Sequence, residues 1–487
     1  MYRIFLALVF ITALMVHGEE TPAPAPAAKR PNILLIFADD LAWDAVSFNG
    51  NPVVKTPNLD RLAKQGSNFQ QCYNMGSWSA AVCVPSRTML NTGRFVWRAG
   101  ALNLKDEAAA GRTWAQTLEK AGYATYMTGK WHVDGLAPKD VFQKLGTVRG
   151  GMARTTNGVY ERPKAAGKDT WTPWDESLKG YWEGGKHWSV VTADEAIGYL
   201  DSRRGQAQPF FAYVAFNAPH DPCQAPKSFV DMYPAAAVDL PRNFLPLAPF
   251  YDKIGCGKDL RDERLCIFPR TPEAIRQLRG EYYALISHLD QQVGRILDRL
   301  EASGQDKNTL VIFSADHGLA CGHHGLMGKQ NMYEHSLRTA FILRGPGIPA
   351  GRRIATPIYI QDAFPTSLEA AGVEVPSFVE FKSVLPQLGA QPPPHYASIY
   401  GCYSRDLQRC IVHQGWKLIH YPKLGASLLF DLGQDPDEQH DLAADPAHAP
   451  RLAELRQRLA ELEKEMADPL LVKGAKIPRQ AGANEDH

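Results

Sequence analysis

Four stretches of the chain are apolar almost without interruption: residues 32–38 (NILLIFA), 123–128 (YATYMT), 209–216 (PFFAYVAF) and 309–315 (TLVIFSA). Runs of that length without polar alternation predict strands buried on both faces, as in a parallel sheet covered by helices. Between them the spacing becomes helical. Residues 56–66 read as a capped helix with Leu59, Leu62 and Ala63 on one face and Gly66 as its stop. Residues 113–121, 189–200 and 272–302 follow the same rule. The last carries Ala284, Leu285, His288, Leu289, Gln292, Val293, Ile296 and Leu297 on a face that packs on the sheet, with His288 read as a structural residue. A strand and a helix are predicted over 352–360 and 362–371. The alternation predicts an α/β fold with a large mixed, mostly parallel central sheet flanked by helices. After the Pro-rich 375–394, short antiparallel strands are predicted near 396–400, 410–412, 416–421 and 428–432. A helix with Leu452, Leu455, Leu459, Leu462 and Met466 on one face follows. This tail is a smaller α+β domain, 376–487, beside a main domain, 32–375.

Each buried run stops at polar residues, and open α/β sheets bind ligands beyond the carboxyl ends of their strands. The first run ends in Asp39-Asp40, a pair that repels itself unless a cation holds it. The fourth repeats the pattern with Asp316-His317. The second ends in Gly129-Lys130-Trp131-His132. Lys130 and His132, two apart on extended chain, point the same way and suit an anion. The third ends in Pro219-His220-Asp221-Pro222, where flanking prolines fix the histidine backbone. His220 is a candidate general acid, and Asp221 and Gln224 are candidate sugar contacts. Taken singly, each pattern also reads as a turn cap, a solvated lysine or a loop histidine. Residues 145–190 hold Trp171, Trp174, Trp182 and Trp188 with Lys186 and His187. They read equally as a sugar-stacking surface or as a small satellite core under an insertion. Residues 223–272 form a second, Pro-rich insertion of the kind that shapes pockets.

Residues 81–94 (AVCVPSRTMLNTGR) tie these pieces together. Pro85 suits a first helical turn and Gly93 a helix stop. Cys83 then sits at the positive end of the helix, suited to attack on an anionic group. Cys83-x-Pro85-Ser86-Arg87 followed by Thr92-Gly93-Arg94 resembles the signature of the type I sulfatases, within the alkaline phosphatase superfamily. Gly129-Lys130-Trp131-His132, Pro219-His220, Asp316-His317 and the block 322–334 with Lys329 follow in the family order over residues 31–440.

The resemblance implies an alkaline phosphatase-like fold and hydrolysis of sulfate esters. It implies that Cys83 is oxidised to Cα-formylglycine (3-oxoalanine) by a maturase, its hydrated aldehyde being the nucleophile that forms and then releases a covalent sulfo-enzyme. Asp39, Asp40, Asp316 and His317, with residue 83, become the ligands of a divalent cation. Oxygen-rich ligation points to Ca²⁺ or Mg²⁺, and the resemblance implies Ca²⁺. Lys130, Lys329, His220 and Arg87 clamp the sulfate, His220 with Lys329 protonates the leaving oxygen, and His132 acts as base. His323 and His324, adjacent on a loop, point apart and are left out of the metal site. The rival readings are a phosphonate or phosphate ester hydrolase of the same superfamily, a small aryl or choline sulfatase, and a non-catalytic binder of sulfated glycans. A sulfated carbohydrate is the favoured substrate.

Composition narrows this further. A formal net charge of +1 over 487 residues, with no long run of one sign, argues against nucleic acid as partner. Residues 1–18 read as a signal peptide and 19–31 as a Pro/Ala linker, predicting an exported enzyme of the bacterial periplasm or medium with no membrane contact after processing. Export permits disulfides, and Cys256/Cys266 and Cys402/Cys410 are near enough in sequence to pair. Oligomeric state has no signal in the sequence.

Overall fold

The computed structural model describes residues 30–154, 157–164 and 169–471. The expected signal peptide and the first part of the linker lie outside the described residues. Eight strands form the main sheet: β1 (Asn32–Ala38), β2 (Ser67–Phe69), β3 (Ala124–Lys130), β4 (Lys144–Arg149), β5 (Phe210–Ala215), β6 (Thr309–Ala315), β7 (Phe341–Arg344) and β8 (Arg352–Ile354). Their order is β8-β2-β7-β6-β1-β5-β3-β4. Strands β6, β1, β5, β3 and β4 run parallel, and β7 is antiparallel to both of its neighbours. The central β1 is buried on both faces from Ile33 to Ala38, which is why its sequence shows no alternation.

The helices named here are α1 (Pro57–Gln65), α2 (Cys83–Thr92), α3 (Trp114–Lys120), α4 (Trp188–Ser202), α5 (Pro272–Ala302), α6 (Ala363–Ala370) and α7 (Ala449–Glu465). One face of the sheet meets α1, α4 and α5 through Leu59, Leu62, Leu289, Val293 and Ile296; the other meets α3 and α6 through Trp114, Leu118, Phe364 and Leu368. Helix α1 begins where the Asp290 carboxylate of α5 accepts from the N–H groups of Asn58 and Leu59 at 3.1 and 2.8 Å. These are orphan donors of a first turn. His288 is buried in the same helix, edge-on to the ring of His187.

A second sheet of five strands is antiparallel through Ile399–Tyr403, Gln408–His413, Trp416–Tyr421 and Ala426–Asp431. Its fifth member, Gly76–Ser77, comes from the amino-terminal half and pairs in parallel with Cys402 and Tyr403. One apolar cluster joins Tyr73, Met75, Met89 and Trp97 to Tyr400, Ile411, Leu418 and Leu459, so the tail shares a core with the helix that carries Cys83.

Neither anticipated disulfide is present; all eight cysteines are free. In the hairpin Cys410 lies opposite Gly401 and Cys402 opposite Arg409. That one-residue offset puts the two thiols on opposite faces. Cys256 and Cys266 are held in different apolar clusters. No described helix is long and apolar enough to cross a membrane.

Candidate active site

The parallel strands β1, β5, β3 and β6 deliver their carboxyl ends to one edge. Backbone bonds fix that edge: the Asp39 N–H donates to the Ala218 carbonyl (3.1 Å), and the Asp40 N–H to Asp316 Oδ1 (3.2 Å). Gly129 adopts φ +90°, and a Cβ there would lie 1.7 Å from the Ala215 carbonyl oxygen of β5. Only glycine lets β3 pass so closely before Lys130 emerges. Helix α2 comes up against the same edge. It begins at Cys83 itself, and Gly93 closes it at φ +70° with its N–H on the Met89 carbonyl. Every side chain of α2 is buried.

Around Cys83 the charged groups interlock. Lys329 Nζ lies 2.9 and 2.8 Å from the Asp40 carboxylate oxygens and 3.6 Å from Cys83 Sγ. His317 Nε2 lies 3.2 Å from both Cys83 Sγ and Asp40 Oδ1. Lys130 binds Asp39 through Oδ2. Arg87 donates from Nε to Asp316 Oδ2 at 3.0 Å and from Nη1 to the Lys130 carbonyl at 3.1 Å, with Nη2 3.7 Å from Asp39 Oδ1. His220 Nε2 is 3.8 Å from Asp40 Oδ2, and its Nδ1 faces the Asp221 carbonyl at 2.8 Å. His132 adopts φ +50°, and its Nδ1 is buried with no hydrogen-bond partner.

These contacts set the ionisation. Burial alone would raise the Cys83 thiol, but the Lys130, Lys329 and His317 cations outweigh it and hold the thiol well below its ordinary value. The positive start of α2 acts in the same direction. Burial opposes charge on His317 as well; Asp316 and Asp40 overcome it and lift the imidazole to about 9. Asp316 is held at about 2 against its burial by His317 and Arg87. Asp39 moves up, first from burial and then from repulsion by Asp316 and the Cys83 sulfur.

Two sets of donor atoms converge closely enough for one ion: Asp39, Cys83, Asp316 and His317, and Asp39, Asp40, Cys83 and His220, each within 4.8 Å of one another. Asp39 Oδ1 is buried with no hydrogen-bond partner. An orphaned carboxylate oxygen among like charges is the environment a hard cation relieves, so the residues fit a divalent metal.

The fold therefore brings Asp39, Asp40, Cys83, Arg87, Lys130, His132, His220, Asp316, His317 and Lys329 together. Two of the expected sugar contacts take other roles. The Asp221 carboxylate is gripped by Arg261 at 2.6 and 3.1 Å and lies 3.2 Å from His220 Nδ1, so it faces the histidine instead of open space. Gln224 is fully buried and accepts from the Tyr181 N–H at 2.8 Å. The aromatic insertion is largely interior. Tyr181 Oη donates to the Asn217 and His220 carbonyls (2.6 and 3.0 Å), and Trp171 and Trp188 are buried. It props the His220 loop, and only Trp174 of the four tryptophans is exposed. His323 pairs with Asp44 and His324 with His335, away from the site.

Sequence reasoning missed Arg261, Asp262 and Gln330. Asp262 accepts from Gln330 Nε2 at 2.7 Å and lies 3.8 Å from Lys329 Nζ. The one available signal was the charge-dense 259–264 inside a Pro-rich insertion.

The profile of the family described as "Sulfatase" matches residues 31–373, and that described as "N-sulphoglucosamine sulphohydrolase, C-terminal" matches 322–465. An arylsulfatase of Clostridium perfringens is 29% identical over 466 residues, covering 89% of this chain and 95% of its own. An N-acetylglucosamine-6-O-sulfatase of Bacteroides thetaiotaomicron is 26% identical, covering 90% and 87%. A structure solved in complex with its substrate D-glucosamine-2-N,6-O-disulfate superposes with a TM-score of 0.70 at 25% identity, covering 90% of this chain and 99% of that one.

Proposed function

The chain belongs to the sulfatase family of sulfuric ester hydrolases, and from that premise we propose that it removes sulfate from a sulfated carbohydrate outside the cytoplasm. The carbohydrate reading draws on the relatives that act on N-acetylglucosamine-6-sulfate and on a glucosamine disulfate. Export draws on the apolar segment at 4–16. We assign residues 32–375 to the catalytic domain and 376–487 to the carboxyl-terminal subdomain.

The observation that carries the reading is the cage of Lys130, Lys329, Arg87 and His317 around a residue at the start of a buried helix. Cys83 is the residue converted to formylglycine; Asp39, Asp40, Asp316 and His317 in its neutral form would hold Ca²⁺, and the ion and modified residue together would supply an activated hydroxyl for attack on sulfur and a second hydroxyl for release. The chain's own groups do the rest. Lys130 and Lys329 offset the charge of the sulfate oxygens. Arg87, fully buried, fixes Asp316 and the Lys130 backbone so that the carboxylates keep their spacing. His220 directs Nε2 into the site because Nδ1 is engaged by Asp221, and from Nε2 it gives a proton to the departing oxygen. His132, near residue 83 in the chain's site, would act as the base that takes up a proton during sulfate release.

The test is release of sulfate from 4-nitrophenyl sulfate and from sulfated hexosamines, against 4-nitrophenyl phenylphosphonate. Sulfate release at the higher kcat/KM is expected. A preference for the phosphonate overturns the reading.

A further inference from the structure

The turn Leu326-Met327-Gly328 leads directly into Lys329, one of the cations beside residue 83. Its carbonyls are used within its own loop: those of Leu326, Met327 and Gly328 accept from the N–H groups of Gly322, Cys321 and Ala320 at 2.8, 3.2 and 3.1 Å. Its N–H groups are used by the Pro-rich insertion. The Glu263 carboxylate accepts from the Gly328 N–H at 2.8 Å and from the Met327 N–H at 3.1 Å. Buried N–H groups must find acceptors, and Glu263 supplies one for both.

Glu263 is itself fixed. It is buried and paired to Arg270, which is buried too. Arg270 donates from Nη1 to the Cys266 and Ile267 carbonyls (2.6 and 3.1 Å) and from Nε to the Gly325 carbonyl (3.3 Å). Gln330 continues the grip. Its Oε1 accepts from the Lys329 N–H at 2.9 Å, and its Nε2 donates to Asp262 Oδ2 at 2.7 Å and to the Ala80 carbonyl at 3.0 Å. The turn has no slack against these side chains: a Cβ on Gly328 would lie 2.4 Å from Gln330 Oε1 and 2.9 Å from Asp262 Cβ. Every backbone N–H from 327 to 329 therefore ends on a side-chain oxygen, two of them on Glu263. From that backbone the Lys329 ammonium reaches the Asp40 carboxylate at 2.9 and 2.8 Å and Cys83 Sγ at 3.6 Å.

We infer that Glu263 is a positioning residue: by binding the Met327 and Gly328 N–H groups it sets where the Lys329 ammonium stands against the sulfate. The inference rests on the sulfatase reading above. A lysine head rides on a flexible stem, so it is placed no better than the backbone that carries it. In a preorganised site a displacement of about 1 Å costs on the order of a hundredfold in rate. Glu263→Gln keeps the size of the side chain but turns one acceptor into an NH₂ group. That group must face either the N–H groups of the turn or the Arg270 guanidinium, donor against donor, and the turn is no longer held.

The test compares the wild-type enzyme, Glu263→Gln, Gly328→Ala and Arg270→Lys on 4-nitrophenyl sulfate, with inorganic sulfate as a competitive inhibitor. The Ki for sulfate belongs to the active molecules and does not vary with the fraction that folds, so a purely structural role leaves it unmoved. We expect Glu263→Gln to raise this Ki and to lower kcat/KM, each about tenfold, the loss of one hydrogen bond to a charged group. Gly328→Ala keeps every charge and crowds the turn against Gln330; it moves both quantities the same way, and it carries the test if Glu263→Gln does not fold. Arg270→Lys leaves the Glu263 carboxylate on the turn, so it lowers the melting temperature and leaves the Ki unchanged. An unchanged Ki in folded Glu263→Gln or in Gly328→Ala, or an equal rise in Arg270→Lys, overturns the inference. Failure of the wild-type enzyme on the aryl sulfate instead overturns the sulfatase reading itself, and this inference with it.

Discussion

Arg87 binds three parts of the site at once: Asp316, the Lys130 carbonyl and the edge of Asp39. It is fully buried and stacked 5.1 Å from the Phe37 ring centroid. Removing one partner of a buried ion pair leaves an uncompensated charge, typically a cost of about 3–5 kcal/mol. Arg87→Ala is therefore expected to lower the unfolding free energy measured by urea denaturation by that amount and to remove activity. Arg87→Lys keeps the charge but loses the fork, and most activity goes with it. Arg261 acts one step further out. Without it Asp221 and Asp262 lose their shared guanidinium and are left to His220, Gln330 and Lys329, so Arg261→Ala is expected to lower kcat on an aryl sulfate tenfold or more, with little change in KM. A fall confined to KM would remove this positioning role. The contrast between these arginines shows what the sequence could reveal. Arg87 was legible because it sits in a contiguous signature, as are Asp39, Lys130, His220 and Asp316, each at the end of an apolar run. Arg261 arrives from a long irregular insertion, and only the fold discloses that its partner is 40 residues earlier.

At the scale of elements, the buried parallel strands β1, β3, β5 and β6 were readable since burial on both faces removes polar positions; the short β2 and β7, buried as well, were too brief to stand out. β4 was not, because it is a half-exposed edge strand reading Lys144 to Arg149 with mixed polarity. The aromatic run 171–188 was ambiguous for a physical reason: the same residues serve a stacking surface or an interior, and only the contact of Tyr181 with the His220 loop decides. Gly129→Ala tests how tightly β3 is held. Its Cβ has no room against the Ala215 carbonyl, so the variant is expected to lose several kcal/mol in chemical denaturation and to displace Lys130. The α1–α5 contact carries a pH signature. Burial raises the Asp290 carboxyl to about 6 despite the N–H groups it accepts. A carboxyl with a raised folded value is stabilised in its protonated form, so this contribution is complete below about pH 4 and is lost as pH rises through 6. The stability of wild type relative to Asp290→Asn is expected to grow by up to roughly 3 kcal/mol between pH 7 and pH 4. A difference that shrinks over that interval would contradict the assignment.

For the whole molecule, the tail and the catalytic part share one apolar core and one sheet. Gly76–Ser77 is a strand of the small sheet, and Trp97 Nε1 donates to Tyr400 Oη at 3.0 Å, which in turn donates to Asp468 at 2.6 Å. A two-residue strand has no periodicity, so this union was not legible in the sequence, although the composition of the tail was. Calorimetry is expected to show one unfolding transition, and two separated transitions would disprove the shared core. The cation enters at the same scale. Binding to the folded state raises the melting temperature with concentration, so Ca²⁺ is expected to shift it upward in wild type and not in Asp39→Asn, whereas equal shifts in both would place the ion elsewhere. The central claim is that catalysis depends on an aldehyde made from Cys83. Its most direct test is mass analysis of the peptide containing residue 83, taken from preparations made with and without a formylglycine-generating maturase and assayed in parallel for sulfate release. The account predicts turnover in proportion to the aldehyde fraction and none from the thiol form. Full turnover from enzyme whose residue 83 retains its sulfur would contradict it.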